Sequence, residues 1–157
     1  MHTVELLLNP QLDKIVRGVW QHLHDQGLRS LATHTHATNS PHITLATTDV
    51  PILGAPLSGL PLDIVLDDVL TLGRNVAWRV RPTPQLRALH LAVWQSLDGT
   101  ERNPLHAPQA WIPHVSLALR TDPAGYPRTL GEASGQAVSA RTYDSSSRTV
   151  QPLIIPD

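Results

Sequence analysis

Cysteine is absent from the 157 residues, which excludes disulfides, thiolate zinc sites and cysteine nucleophiles without identifying a compartment. Phenylalanine is absent too, and with aromatics at 4% the chain has few platforms on which bases could stack. Lys14 is the only lysine; the other basic residues are arginines. Twelve basic against thirteen acidic residues give a net charge of −1, so no global field holds a long polyanion. A small anionic ligand, or the end of a nucleic acid, fits that balance. No apolar run approaches the roughly 18 residues of a membrane span. Residues 60–72 come closest and are interrupted by Asp63, Asp67 and Asp68. The first nine residues have no basic n-region and carry Glu5 in an apolar stretch, so the expectation is no leader and a cytoplasmic location.

What remains is a globular composition, 41% hydrophobic and 16% charged, long enough for one domain over residues 1–157. Residues 3–8 have strand composition. Asn9-Pro10 reads as an N-cap with proline at the first helical position, and Leu12, Ile15, Val16, Val19, Trp20 and Leu23 recur at helical spacing. Gly27 is the expected stop. Residues 40–46, Ser-Pro-His-Ile-Thr-Leu-Ala, then form a short alternating strand.

The same order returns. Thr83-Pro84 opens a second helix with Leu86, Leu89, Val93 and Leu97 on its buried side, Gly99 follows, and residues 112–118 read Ile-Pro-His-Val-Ser-Leu-Ala. Pro10 and Pro84 lie 74 residues apart, Gly27 and Gly99 lie 72 apart, and so do His42 and His114. Three matches nearly in register indicate an internal duplication. Residues 62–66, 69–72 and 76–80 read as strands with a turn at 73–75, and residues 137–143 and 149–155 as a final pair. Residues 122–135, rich in proline and glycine, read as a loop. The expected class is α+β: two β-rich lobes, each an antiparallel sheet with a packed helix, around a central cleft.

Nine histidines direct the search for a site. Side chains alternate along a strand, so His42 and Thr44 share one face, as do His114 and Ser116, with Ile43, Leu45, Val115 and Leu117 on the other. The duplication suggests that both His-hydroxyl pairs face one cleft. Two imidazoles, each able to give or take a proton near neutral pH, suit phosphodiester cleavage, with the hydroxyls donating to the non-bridging oxygens. Such chemistry requires neither metal nor cofactor.

The motifs His42-Ile43-Thr44-Leu45 and His114-Val115-Ser116-Leu117 resemble the paired His-x-Thr/Ser-hydrophobic motifs of the two-histidine phosphoesterases. The context resembles the 2′-5′ RNA ligase-like and cyclic phosphodiesterase branch, from about residue 3 to residue 155. The resemblance implies a bilobal, pseudo-two-fold fold and metal-independent hydrolysis of 2′,3′-cyclic phosphates, or 2′-5′ linkage chemistry, at RNA termini or small nucleotides. His42 and His114 match the catalytic histidines, Thr44 and Ser116 the phosphate-holding hydroxyls. We assign His42 as general acid and His114 as general base; the roles exchange with reaction direction. Ala46, Thr47 and Thr48 stand where many ligase-like members carry arginine, while Arg120 follows the second motif at a displaced position. Trp111 is the aromatic nominated for a nucleobase and Arg120 the nominated anion contact. Alternatives are a non-catalytic RNA-end or nucleotide-binding module, a 2′-5′ RNA ligase, and a hydrolase of another cyclic phosphate such as an ADP-ribose cyclic phosphate. A monomer is expected.

Other motifs read as structural. His90 lies among the apolar positions of the second helix, and Arg79 reads as paired or solvated. His34 and His36 would share a strand face but have no neighbouring carboxylate to complete a metal site. No Gly-rich loop with lysine is present to support ATP hydrolysis.

Overall fold

The computed structural model describes residues 1–51, 53 and 57–153. In chain order it comprises β1 (His2–Leu8), α1 (Pro10–Asp25), β2 (His42–Thr48), β3 (Leu62–Leu72), β4 (Asn75–Val80), α2 (Pro84–Ser96), β5 (His114–Ala118), β6 (Thr129–Asp144) and β7 (Thr149–Pro152). The part of the last expected strand beyond residue 153 lies outside the described residues.

Both helices begin at a proline, whose missing N–H costs nothing in the first turn. Thr83 caps α2, its hydroxyl accepting from the Leu86 amide at 3.1 Å. Asn9 occupies the cap position of α1, but its side chain does not cap the helix. Its Oδ1 instead accepts from the Gln136 amide at 2.9 Å, and its own amide donates to the Gln136 carbonyl at 2.8 Å, fastening the helix start to β6. Gly27, at φ 79°, ends α1: its amide donates to the His24 carbonyl and that of Leu28 to Leu23. That pair of bonds is a Schellman stop. Of the apolar stripe, Leu12, Val16, Trp20 and Leu23 are buried, whereas Ile15 is exposed.

The strands form one antiparallel sheet in the order β1-β2-β5-β4-β3-β6-β7, and β6 also pairs with β1. The expected division into two sheets is therefore replaced by a single continuous one. Its cause is the length of β6. Residues 129–137 pair with β3, residues 137–144 pair with β1, and Ala137 is partnered by both Leu62 and Leu8. The expected loop at 122–135 thus yields its second half to the sheet. Gly135 is in the strand because α1 passes directly over it: a Cβ there would stand 2.5 Å from Asn9 Oδ1 and 2.7 Å from Leu12 Cβ. Glycine here marks a close approach, not a turn. Residues 62–66 and 69–72 likewise belong to one strand, β3, with a register irregularity between Leu66 and Val69 in its pairing with β4.

The order β1-β2-β5-β4 sets two β–α–β units head to head, with the two motif strands at the centre. Each helix also reaches the motif strand of the other unit. Trp20 of α1 donates its indole N–H to the Ser116 carbonyl at 3.0 Å, and His90 of α2 places Nε2 3.0 Å from the Leu45 carbonyl. Ile43, Leu45, Val115 and Leu117 are fully buried beneath them. That apolar layer holds the central strands and leaves their other face for chemistry.

Candidate active site

Strands β2 and β5 are antiparallel neighbours with Ile43 opposite Val115. Continuing that register sets His42 opposite Ser116 and Thr44 opposite His114, within the roughly 5 Å that separates cross-strand neighbours. The four side chains that alternation placed on one face thus form a compact square. All four are half-buried, in contrast to the fully buried apolar residues between them.

Both rings are held in the same way. His42 Nδ1 lies 2.8 Å from the Ser40 carbonyl, and His114 Nδ1 lies 2.7 Å from the Ile112 carbonyl. A carbonyl can only accept, so each Nδ1 carries the proton and each Nε2 is the working nitrogen. In a neutral ring that nitrogen is a base; in a charged ring it is an acid. Burial lowers the pKa of His114 from its ordinary value, the bond to Ile112 opposes this, and the charge of His42 pushes it further down. The two rings therefore feel each other electrostatically. His106 stands behind, its pKa lowered by burial and by His114, its buried Nδ1 without a hydrogen-bond partner among the described residues.

Ion pairs flank the square on both sides. Glu5, on β1 opposite Thr44, is a buried carboxylate. Its Oε2 lies 3.4 Å from His42 Nε2 and accepts from the Thr3 hydroxyl at 2.7 Å, while Oε1 accepts from Arg141 Nε at 2.9 Å. Arg141 is fixed in turn by a bond to the Thr38 carbonyl at 2.8 Å. On the other side Arg79, on β4 opposite His114, makes two 2.9 Å bonds to Asp67. Arg79, the Asp68 amide and Arg81 hold the Asp67 carboxyl down at about 2, against the opposing effect of burial. One row across the sheet therefore reads Arg141, Glu5, Thr44, His114, Arg79.

The face opens into a cavity of about 760 Å³ whose lining includes His42, Thr44, Ser116 and Arg120. The cavity thus gathers His42, both hydroxyls and the nominated arginine, whereas His114 is not among its lining residues and stands beside it on the same sheet face, across from Thr44. Trp111 is placed elsewhere: it is 8% exposed, stacked on His90 with ring centroids 3.8 Å apart, and donates to the Thr44 carbonyl at 2.9 Å. It braces the motif strand from the core side and does not line the cavity. His34 and His36 do line it, but from an irregular segment after a short 3₁₀ turn (Leu31–Thr33), not from a strand. Among the described residues no group of three His, Cys, Asp or Glu side chains is arranged to hold a metal.

Glu5, Arg141, Tyr143 and Arg148 line the same cavity without having been singled out as site residues in the sequence. For Glu5 a signal existed: it is the one charge inside the apolar stretch 4–8 and lies 74 residues before Arg79, the offset of the two helix-opening prolines. For the other three, all beyond residue 140, only the pairing of β6 with β1 brings them to the site.

Solved structures share this fold. The PDE domain of MHV ns2 is 16% identical with a TM-score of 0.58, over 98% of this chain and 96% of that one. A phosphoesterase is 14% identical with a TM-score of 0.60, over 97% and 92%. E. coli LigT, complexed with 3′-AMP, is 16% identical with a TM-score of 0.54, over 98% and 94%. No family model matches the chain. No curated protein matches it either. The chain thus shares its fold with a PDE domain, a phosphoesterase and LigT.

Proposed function

We propose that this chain is a phosphodiesterase that opens 2′,3′-cyclic phosphates, or cleaves 2′-5′ linkages, at the ends of RNA or on small nucleotides. The reading is supported chiefly by one observation: two histidines on adjacent central strands, each fixed at Nδ1 by the carbonyl two residues before it. That leaves two Nε2 atoms on one face of the sheet, that of His42 in the cavity wall, as a proton donor and a proton acceptor.

In this mechanism neutral His114 takes a proton from water through Nε2 as the water oxygen attacks phosphorus. The bond from phosphorus to the 2′ or 3′ oxygen breaks, and protonated His42 delivers its Nε2 proton to that oxygen. Thr44 and Ser116 donate to the non-bridging oxygens, whose charge grows in the transition state. Burial of His114 favours the neutral ring that a base needs. Glu5 is a positioning residue for His42, since its Oε2 pairs with Nε2–H whenever that ring is charged.

The test is a panel of nucleoside 2′,3′-cyclic phosphates and 2′-5′ dinucleotides, assayed with chelator present and with product regiochemistry recorded. Turnover to a single monophosphate regioisomer is expected, with a bell-shaped pH dependence of kcat/KM. Saturable binding of 3′-AMP without turnover of any substrate in the panel would instead establish a non-catalytic binding module.

A further inference from the structure

The cavity contains cations that the acid–base chemistry does not use. Arg120, just after β5, and Arg148, just before β7, both line it. Neither guanidinium has a hydrogen-bond or ion-pair partner among the described residues, whereas the charge of Arg141 is taken up by Glu5. Among the described residues Glu5 is the only acid in the lining, so the described wall carries an excess of two positive charges before any histidine is counted, on a chain whose net charge is −1. A cleft of one sign concentrates field and ligand.

Backbone conformation separates the same two residues from the rest. Arg120 at φ 50° and Arg148 at φ 54° are the non-glycine residues with positive φ among those described. That conformation is unfavourable for an ordinary side chain, and such outliers gather at ligand sites. The volume of about 760 Å³ also falls in the range that encloses a whole ligand, well beyond one reacting phosphate.

We propose that Arg120 and Arg148 form a second anion station, which takes a phosphate of the substrate other than the one that reacts. This rests on the proposed function only in seating the reacting phosphate at His42 and His114. The substrate class is then a nucleotide with a second phosphate near the scissile one, supplied by an internucleotide linkage or by a terminal phosphate, and not a lone cyclic mononucleotide. Guanidinium forks match phosphate oxygens two at a time, which suits this task better than a point charge.

The experiment has a binding arm and a turnover arm. In the first, adenosine 3′-monophosphate and adenosine 3′,5′-bisphosphate are titrated calorimetrically at low salt. In the second, kcat/KM is compared among adenosine 2′,3′-cyclic phosphate, its 5′-phosphorylated form, and a dinucleotide ending in a 2′,3′-cyclic phosphate. The two-phosphate ligand should bind about tenfold more tightly, and the advantage should shrink as salt rises. Whichever of the 5′-phosphorylated and dinucleotide substrates shows the larger turnover advantage identifies the source of the second phosphate. Arg120→Asn with Arg148→Asn keeps the left-handed backbone, which asparagine tolerates, and should bring the binding ratio to about one. Arg87→Gln, an exposed charge on α2 outside the cavity, should leave the ratio intact. Equal binding of the two ligands, or an advantage that survives the double substitution, overturns the proposal. Its fate is separate from that of the proposed function: turnover without a second-phosphate advantage sinks only the station, and the advantage in binding without turnover sinks only the phosphodiesterase.

Discussion

Glu5 on β1 and Arg79 on β4 flank the motif strands in one row of the sheet, Glu5 opposite Thr44 and Arg79 opposite His114, yet one is a carboxylate and the other a guanidinium. Glu5 is paired with Arg141 from β6; Arg79 is paired with Asp67 from β3. The two flanks thus carry ion pairs of opposite polarity around a pair of otherwise matched histidines. That difference separates two rings whose Nδ1 environments are the same. His42 has a carboxylate at its working nitrogen, and His114 has none. The carboxylate beside one ring and the burial of the other underlie the proposed assignment of His42 as acid and His114 as base.

The comparison is broken most severely by removing either ring. His42→Ala and His114→Ala should each lower kcat on a 2′,3′-cyclic nucleotide by about 10²–10⁴-fold. A nitrophenyl phosphodiester, whose leaving group needs little protonation, sharpens the result. His42→Ala should largely recover on that substrate and His114→Ala should not. Glu5→Gln should follow His42 in weaker form, losing about tenfold on the nucleotide and little on the nitrophenyl ester. Recovery of His114→Ala instead would reverse the assignment of acid and base.

Stability distinguishes the flanks next. Arg141→Met strands the Glu5 carboxylate in the interior and should cost about 3–5 kcal/mol in urea denaturation. Arg79→Met leaves Asp67 still bonded to Arg81, and the pair is more open to solvent, so a clearly smaller loss is expected. Equal losses would mean that the two ion pairs are interchangeable.

Acid tests the mirrored helix contacts. Trp20 and His90 each reach the motif strand of the opposite unit, but only His90 titrates. Burial depresses its pKa from 6.5 to about 4. The unfolded chain therefore binds this proton first, so the contribution is intact above pH 6.5 and is lost as pH falls towards 4. It amounts to about 3 kcal/mol, read as a falling urea midpoint, with His106 and His114 shifted in the same direction. His90→Gln should remove most of this slope. The smallest expected effect is at the hydroxyls, where Ser116→Thr makes the two motifs alike and should change kcat/KM by less than about threefold.

What could be read early was local. Proline and glycine marked the helix ends because they act through their own backbone, and alternation exposed the two His-hydroxyl faces because strand side chains repeat every two residues. Trp111 was misjudged as a base platform since a lone tryptophan carries no mark of which side it faces; His90 decides that, from a helix 21 residues earlier. Residues 129–135 were taken for a loop because glycine serves equally for turning and for close packing, and only the passage of α1 over Gly135 tells the two apart.

From the chain alone came the two helices, the motif strands, and two imidazoles each set beside a hydroxyl, all of which depend on neighbours a few residues away. Folding decided the rest: that β6 joins the strands into one sheet, that Arg141 secures Glu5 across 136 positions of sequence, and that Arg120 and Arg148 come to one cavity. Such partnerships depend on strand register and burial, and these are fixed by the packing of the whole molecule, not by any stretch of its sequence.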